Sequence, residues 1–244
     1  MNFNPSTFFD ALTSPTFIEG AGITIALTAI AMAFGLAIGL ILALMRNHSW
    51  GVVRWLAWAY IWVFRAIPTL LQLFFVWNAL PQLFPVLRGT WFSPFLAAAV
   101  ALSMNEAAYA AEILRAGLLS VDEGQRLAAR ALGLSPGKVF TKVVAPQLTR
   151  VAIPPLSNDF ITMLKITSLA SVISLQELLA RTQSAVSVTF EFAEYYAAAA
   201  VYYLVIVSVL MLIQSRIERR FEWTSQRAAG RSVVGRVRQL APMR

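Results

Sequence analysis

From Gly20 to Met45 the chain carries no charged side chain. As a helix that run would be ~39 Å long at ~1.5 Å per residue. About 20 apolar residues suffice to cross a bilayer, so the run is long enough to span with tilt. Composition agrees. Apolar residues make up 58% of the 244 and charged residues only 13%, where a soluble domain carries roughly 25%. Mean hydropathy is +0.66. Met1 to Glu19 has neither a basic stretch nor a short apolar core, and so does not read as a cleavable signal peptide.

The same composition removes whole classes of chemistry. With no Cys and one His, His48, the chain offers no thiol nucleophile, no disulfide and no Cys- or His-based metal site. No G-x-x-x-x-G-K-[ST] phosphate loop occurs. The chain is expected to be no enzyme, to have no catalytic residues and to bind no cofactor or metal.

Four further apolar segments follow the first. Hydropathy predicts spans at about 20–45, 55–80, 91–114, 155–179 and 195–213, with Arg65 and Pro68 marking a kink in the second. Basic residues in the short loops set the orientation. The N-terminal segment 1–19 holds Asp10 and Glu19 and no Lys or Arg, and the loops around Arg88 and Arg181 are poor in basic residues; these read as outside. The loop with Arg46 and Arg54, the loop 120–150 and the tail 216–244 with Arg216, Arg219, Arg220 and Arg227 read as inside. This predicts an all-α, multi-pass protein of the bacterial cytoplasmic membrane with five spans, N-terminus out and C-terminus in. The net charge of +8 then faces anionic inner-leaflet lipid and calls for no nucleic acid. Trp50, Trp55, Trp58, Trp91 and Tyr195 lie near predicted span ends and read as interfacial anchors. Gly35 and Gly39 form a G-x-x-x-G that permits close helix approach.

A loop as long as Ser120–Arg150 inside a membrane protein needs a reason to exist. Asp122 or Ser120 can cap a first helix that runs to Leu132, with Gly133 at a left-handed C′ position. Ser135 and Pro136 can open a second helix, and Pro146 is expected to interrupt the chain beyond it. The result is a cytoplasmic helix-turn-helix whose Leu132, Leu134, Val139 and Phe140 are expected to be exposed to a partner.

At this point the residues resemble a known family. Gly124 to Gln147, GQRLAARALGLSPGKVFTKVVAPQ, looks like the cytoplasmic signature loop of permease subunits of bacterial ABC importers, with its Glu-Ala-Ala core. FRAIPTLLQLFFVW (Phe64–Trp77), AAYAAEILRAGLLSVDEGQ (Ala107–Gln125) and PPLSNDFITMLKITSLASVI (Pro154–Ile173) resemble its polar amino acid uptake branch. The resemblance covers roughly residues 16–220. It implies a type I importer permease fold over 20–215 and a translocation pathway formed by two permease chains, identical or homologous. It also implies two ATPase subunits beneath, which carry the ATP and Mg, and an extracytoplasmic amino acid-binding protein. On this reading Gln125, Leu127, Ala128, Ala129, Leu132, Gly133 and Phe140 couple the permease to the ATPase. Two departures stand out. Leu127 occupies the position of the family's Glu, leaving docking to Arg126, Arg130 or the partner permease. Ile166 replaces the family's Asp after Lys165. Both suit one half of a heterodimer.

Ionisable groups inside spans are costly, at ~2.5–3.5 kcal/mol each, so each invites a role. Glu112 and Arg115 lie at i,i+3 and are expected to pair. Asn105, Glu106, Lys165, Thr167 and Ser168 are the candidate pathway residues. Glu106 could meet a substrate ammonium, and Lys165, Thr167 or Ser168 its carboxylate; the competing expectation is an internal Glu106–Lys165 salt bridge. Asp159 and Glu177 are the other acids of the fourth span, and Arg65 is expected to find an acid in another span. The alternative to an ATP-driven permease is an ion-coupled secondary amino acid transporter, which would show inverted repeats and coupled carboxylates; no such repeat is visible.

Overall fold

Asn4 caps a short helix, α1 (Pro5–Thr13), and Pro15 opens a second, α2 (Pro15–Arg46), which contains the whole uncharged run. The computed structural model describes residues 3–222, so the tail from 223 onward, including Arg227, lies outside the described residues. The described residues are almost entirely helical, without strands. The remaining helices are α3 (Gly51–Ala66), α4 (Thr69–Phe74), α5 (Leu80–Leu83), α6 (Pro94–Leu119), α7 (Glu123–Ala131), α8 (Pro136–Val139), α9 (Ala145–Ile166), α10 (Leu178–Thr189) and α11 (Phe192–Glu222). Among the described residues only α2 and α11 are by themselves long and apolar enough to cross a membrane; α3 with α4–α5, and α8–α9 with α10, form bent pairs.

The centre of the molecule is α6. Its alanines 97, 98, 107, 108, 110 and 111 are buried, and it packs against α2, α3, α4 and α9. Shielded in this way, α6 can hold Asn105 and Glu106 at 2% and 3% exposure. The α2–α6 seam shows why the two glycines are needed. A Cβ on Gly35 would lie 2.5 Å from Glu106 Cγ, and one on Gly39 would lie 2.8 Å from the Ala110 Cβ. The helices run parallel: Gly35 faces Ser103 and Glu106, Gly39 faces Ala107 and Ala110, and Ala43 clusters with Leu114 and Leu118.

Two expected spans are built differently from the hydropathy reading. The second is not one kinked helix but two segments bent by 103° at Pro68, followed by a π-helical turn at Phe75–Ala79. Tyr60 and Gln72 meet adjacent residues of α6, Met104 and Asn105, so the chain gains no height across the break and advances only beyond it, where Trp77 stacks on Phe92. The fourth does not begin at Pro155. Helix α9 starts at Ala145 and runs through Pro154 and Pro155, then tightens into a 3-10 segment, Thr167–Ile173, that stops at Ser174 with φ 65. Pro146 does not interrupt the chain either. A π turn at Phe140–Val144 leads directly into α9, with Pro146 at its first turn, where no N–H is needed.

At the end opposite the loop, α1 is strapped down. The Asn4 amide donates to Glu194 at 2.7 Å, the Thr7 hydroxyl to Glu191 at 3.2 Å and the Tyr202 hydroxyl to the Leu12 carbonyl at 2.7 Å. Tyr195 stacks on Phe17 in the small core there, so it is a packing residue and not an outward anchor. Trp50, Trp55, Trp58 and Trp91 do face outward.

Candidate functional site

Irregular backbone at membrane depth is tolerated only where protein buries it or where it lines a cavity. Here two side-chain amides satisfy its carbonyls. Pro68 has no N–H, so the Phe64 carbonyl loses its i+4 donor. Gln72 Nε2 donates to the Phe64 carbonyl at 2.9 Å and to the Ile67 carbonyl at 2.8 Å. Asn105 Nδ2 donates to Gln72 Oε1 at 3.2 Å and to the Phe64 carbonyl at 3.4 Å. Both amides are buried. Asn105 is therefore a clamp on the broken helix, and its amide is not free for a substrate, contrary to the expectation from sequence.

The other candidate pathway residues do not converge on one pocket. Glu106 packs its methylenes on Gly35, and its Oε1 has no hydrogen-bond partner among the described residues. Asp159 Oδ2 is buried and unpartnered in the same way. Lys165 is exposed and does not pair with Glu106: the ion pairs among the described residues are Glu112–Arg115 and Glu19–Arg181, each at 2.9 Å. The internal Glu106–Lys165 bridge is thus not formed. Thr167 and Ser168 turn their hydroxyls back onto the Leu164 carbonyl at 2.7 Å and the Lys165 carbonyl at 2.6 Å. They secure the tightening from α9 into the 3-10 segment. Thr167 is fully buried, while Ser168 keeps a partly open edge beside Lys165.

Arg65 also departs from expectation. Its guanidinium lies 5.4 Å from the ring centre of Tyr109, a cation–π contact in place of an acid partner. With Arg46, Trp62, Tyr109 and Glu112 it lines a cavity of about 470 Å³. Glu177, which the sequence places at the outer end of a span, caps α10 instead. Fully buried, it accepts from the amides of Leu179 at 2.9 Å and Ala180 at 2.7 Å and from the Tyr203 hydroxyl at 3.4 Å. Thr24 ties the same corner to α2 by accepting from the Leu178 amide at 3.3 Å. No local pattern announces this corner, because Thr24 is 153 residues away from Glu177 in sequence. Sequence reasoning also misses Gln72, although a long amide side chain one turn past a proline inside an apolar segment is a signal for it.

The loop is an ordered extension of the bundle. Asp122 caps α7 by accepting from the Gln125 amide at 3.3 Å. The helix ends on Gly133 at φ +79, whose amide donates to the Arg130 carbonyl at 2.9 Å while Leu134 donates to Ala129 at 3.2 Å. That is the geometry for which a left-handed glycine is selected. Ser135 holds the next cap position without a side-chain bond. The side chain of Gln125 accepts from Gln147 at 2.6 Å and joins α7 to α9. Phe140 packs on a cluster of Ala43, Leu114, Leu118, Val121, Val144 and Leu148 that knits the loop to the ends of α2, α6 and α9. Val139 is buried at 4% exposure and Leu134 is half-buried, so neither offers the exposed apolar surface expected of them. Ala129 is buried as well. Arg126 donates to the Leu118 carbonyl and is spent inside the loop. What remains outside is Leu127 at 56%, Ala128, Arg130 and Leu132 at 84% exposure.

The bundle and the helix-turn-helix fixed to its ends both fall within the residues that comparisons with known proteins match. Residues 35–223 match the family model described as binding-protein-dependent transport system inner membrane component. The chain belongs to this family. Among its relatives, an arginine transport system permease of Corynebacterium glutamicum is 40% identical over 84% of this chain and 67% of its own length. A glutamine transport system permease of Escherichia coli is 38% identical over 91% of this chain and 99% of its own. An L-cystine transport system permease of Bacillus subtilis is 39% identical over 85% and 87%. In structure, the permease resembles a chain of an amino acid ABC transporter crystallised with histidines, at TM-score 0.79 and 35% identity over 90% of this chain and all of the other. It shares its fold with the MetNI methionine ABC transporter, at TM-score 0.68 and 20% identity over 84% and 95%.

Proposed function

We propose that this permease is the translocating subunit of an ATP-driven importer for a polar amino acid and docks its ATPase through the outer face of α7. The observation that carries the proposal is the loop. Leu127, Ala128 and Leu132 present an apolar surface on a segment whose other side is bonded and packed to three span ends, so a push on that surface moves the bundle as a body. Hydrolysis belongs to two partner ATPase chains, with ATP and Mg bound there, because this chain has no phosphate loop. A second permease chain completes the pathway, and a binding protein delivers substrate at the α1 end. The N-terminus then lies outside and the loop in the cytoplasm, in accord with the basic residues of the loop ends.

The relatives' names include arginine, glutamine and L-cystine, so the proposal is a substrate class and not one side chain. With Glu106 enclosed against α2 and Asn105 committed to the clamp, selectivity rests with the binding protein, and the open edge at Lys165 and Ser168 borders the path. Leu127 and Ile166, where the family carries acids, favour a heterodimer with a chain that retains them.

The test is purification in mild detergent with mass spectrometry of every co-purifying chain, followed by uptake in proteoliposomes supplied with ATP and the binding protein. An ATPase in the set and ATP-dependent amino acid uptake are expected. Uptake driven by an ion gradient without any ATPase would overturn the proposal.

A further inference from the structure

Two arginines line the cavity of about 470 Å³ between the end of α2, α3 and α6, and neither makes an ion pair among the described residues. Arg46 is the last residue of α2, and its Nε is buried without a hydrogen-bond partner among the described residues. Arg65 rests on the Tyr109 ring. The one acid of the wall, Glu112, is already held by Arg115, whose Nη2 donates to its Oε2 at 2.9 Å and whose Nε donates to its Oε1 at 3.4 Å. Three guanidiniums thus share one carboxylate, and the cavity keeps an excess of positive charge. Its remaining wall is the stacked pair Trp58 and Trp62, ring centres 5.9 Å apart and both exposed.

Depth can be read from α2. The Glu19–Arg181 pair stands just before Gly20, at one end of the uncharged run. A hydrocarbon core of ~30 Å takes ~20 residues of helix, which from Gly20 reaches Gly39, and Gly39 lies against Ala107 and Ala110 of α6. Arg46 and Glu112 therefore stand at or past the far edge of the hydrocarbon. Arg65 starts deeper, on α3, and its guanidinium reaches Tyr109, one turn from Glu112. Exposed tryptophans are enriched at this level of a bilayer. Guanidiniums bind phosphate through paired, charge-assisted hydrogen bonds, and basic pockets between spans on the cytoplasmic side are where acidic headgroups bind. A cationic floor beside an exposed aromatic wall suits a ligand that is anionic at one end and apolar at the other.

We infer that the cavity between α2, α3 and α6 binds the headgroup of an anionic phospholipid of the inner leaflet, with its phosphate between Arg46 and Arg65 and its glycerol end along Trp58 and Trp62. The bound anion would offset the repulsion of guanidiniums that have no acid of their own. This goes beyond transport, and it rests on the proposed orientation in placing the loop end in the cytoplasm.

The test uses the whole importer complex in micelles containing equimolar phosphatidylglycerol and phosphatidylcholine, with bound lipid counted by native mass spectrometry. Two arginines at the membrane surface should give roughly a 30-fold preference for phosphatidylglycerol. Arg46→Gln with Arg65→Gln is expected to remove it. Arg46→Lys with Arg65→Lys keeps the charges and should retain most of it; loss in both pairs would trace to structure and overturn the inference. Arg150→Gln, an exposed arginine that does not line the cavity, should leave the preference unchanged. Absence of preference in the natural protein, or as large a loss in Arg150→Gln, would overturn the inference. So would displacement of the lipid by inorganic phosphate at matched concentration, since the site would then be one for a free anion. A photo-cross-linking residue in place of Trp62 should capture lipid, and capture of a second permease chain instead would overturn the inference as well. ATP-driven uptake measured on the same preparations keeps the two readings apart. Uptake without lipid preference defeats only the lipid site, whereas lipid preference without uptake defeats only the importer.

Discussion

The α2–α6 seam and the break at Pro68 lie side by side at the same depth and are held together by opposite means. Along the seam both helices are regular, and contact is made by shape: Gly35 and Gly39 against Glu106 and Ala110. At the break the backbone cannot satisfy itself, and Gln72 and Asn105 supply the donors that Pro68 removed. The 3-10 segment at Thr167–Ile173 packs against α4, so the two irregular stretches adjoin each other while the seam stays uniform. The seam is held by close contact of small residues, the break by hydrogen bonds from two side-chain amides, so the fold sets a spine fixed by shape beside a break fixed by polar contacts.

Four substitutions test that separation. The largest effect is expected from Gly35→Val, whose Cβ would fall within 2.5 Å of Glu106 Cγ. Overpacking of this kind costs about 1–3 kcal/mol or more, and thermal unfolding in detergent should show a lower midpoint or failure to accumulate. Next comes Gln72→Leu, which strips the carbonyls of Phe64 and Ile67 of a donor at about 1–3 kcal/mol for an unsatisfied buried group. Its loss should appear as faster amide exchange confined to residues 64–79, with the seam unaffected. Asn105→Ala leaves Gln72 in place and should cost about 1 kcal/mol, read by the same two measurements. Ser168→Ala removes only a hydroxyl bonded to its own helix at Lys165, and a change within about 0.5 kcal/mol is expected. If Gln72→Leu instead loosened α2 and α6 as much as Gly35→Val does, spine and clamp would be one unit.

Sequence is informative where the deciding interaction is local. Apolar runs mark the long helices because burial in lipid is a property of each stretch by itself. Asp122 and Gly133 can be read as caps because their partners lie within three residues. Prolines mislead in both directions. Pro68 reads as a kink and makes a full break, while Pro146 and Pro155 read as boundaries and lie inside a helix; a π turn precedes Pro146, and α9 continues through Pro154 and Pro155. The site is harder to read. Which of Asn105 and Glu106 faces the broken helix and which faces α2 depends on the rotation of α6 against neighbours about seventy residues away or fewer. The Glu177 corner joins α2, α10 and α11, and no window of sequence contains it.

The central claim is that movement enters through the outer face of α7. Its most direct test is ATP-driven amino acid uptake by the reconstituted complex carrying Leu132→Glu, beside Gly133→Asp. Leu132 is 84% exposed and stands outside the core cluster that anchors the loop, so Leu132→Glu should leave insertion and the unfolding midpoint unchanged while abolishing uptake. Gly133→Asp should match it, with about 1 kcal/mol of added backbone strain at the positive φ. Unimpaired uptake by a folded Leu132→Glu complex would contradict the account and reduce the loop to a connector.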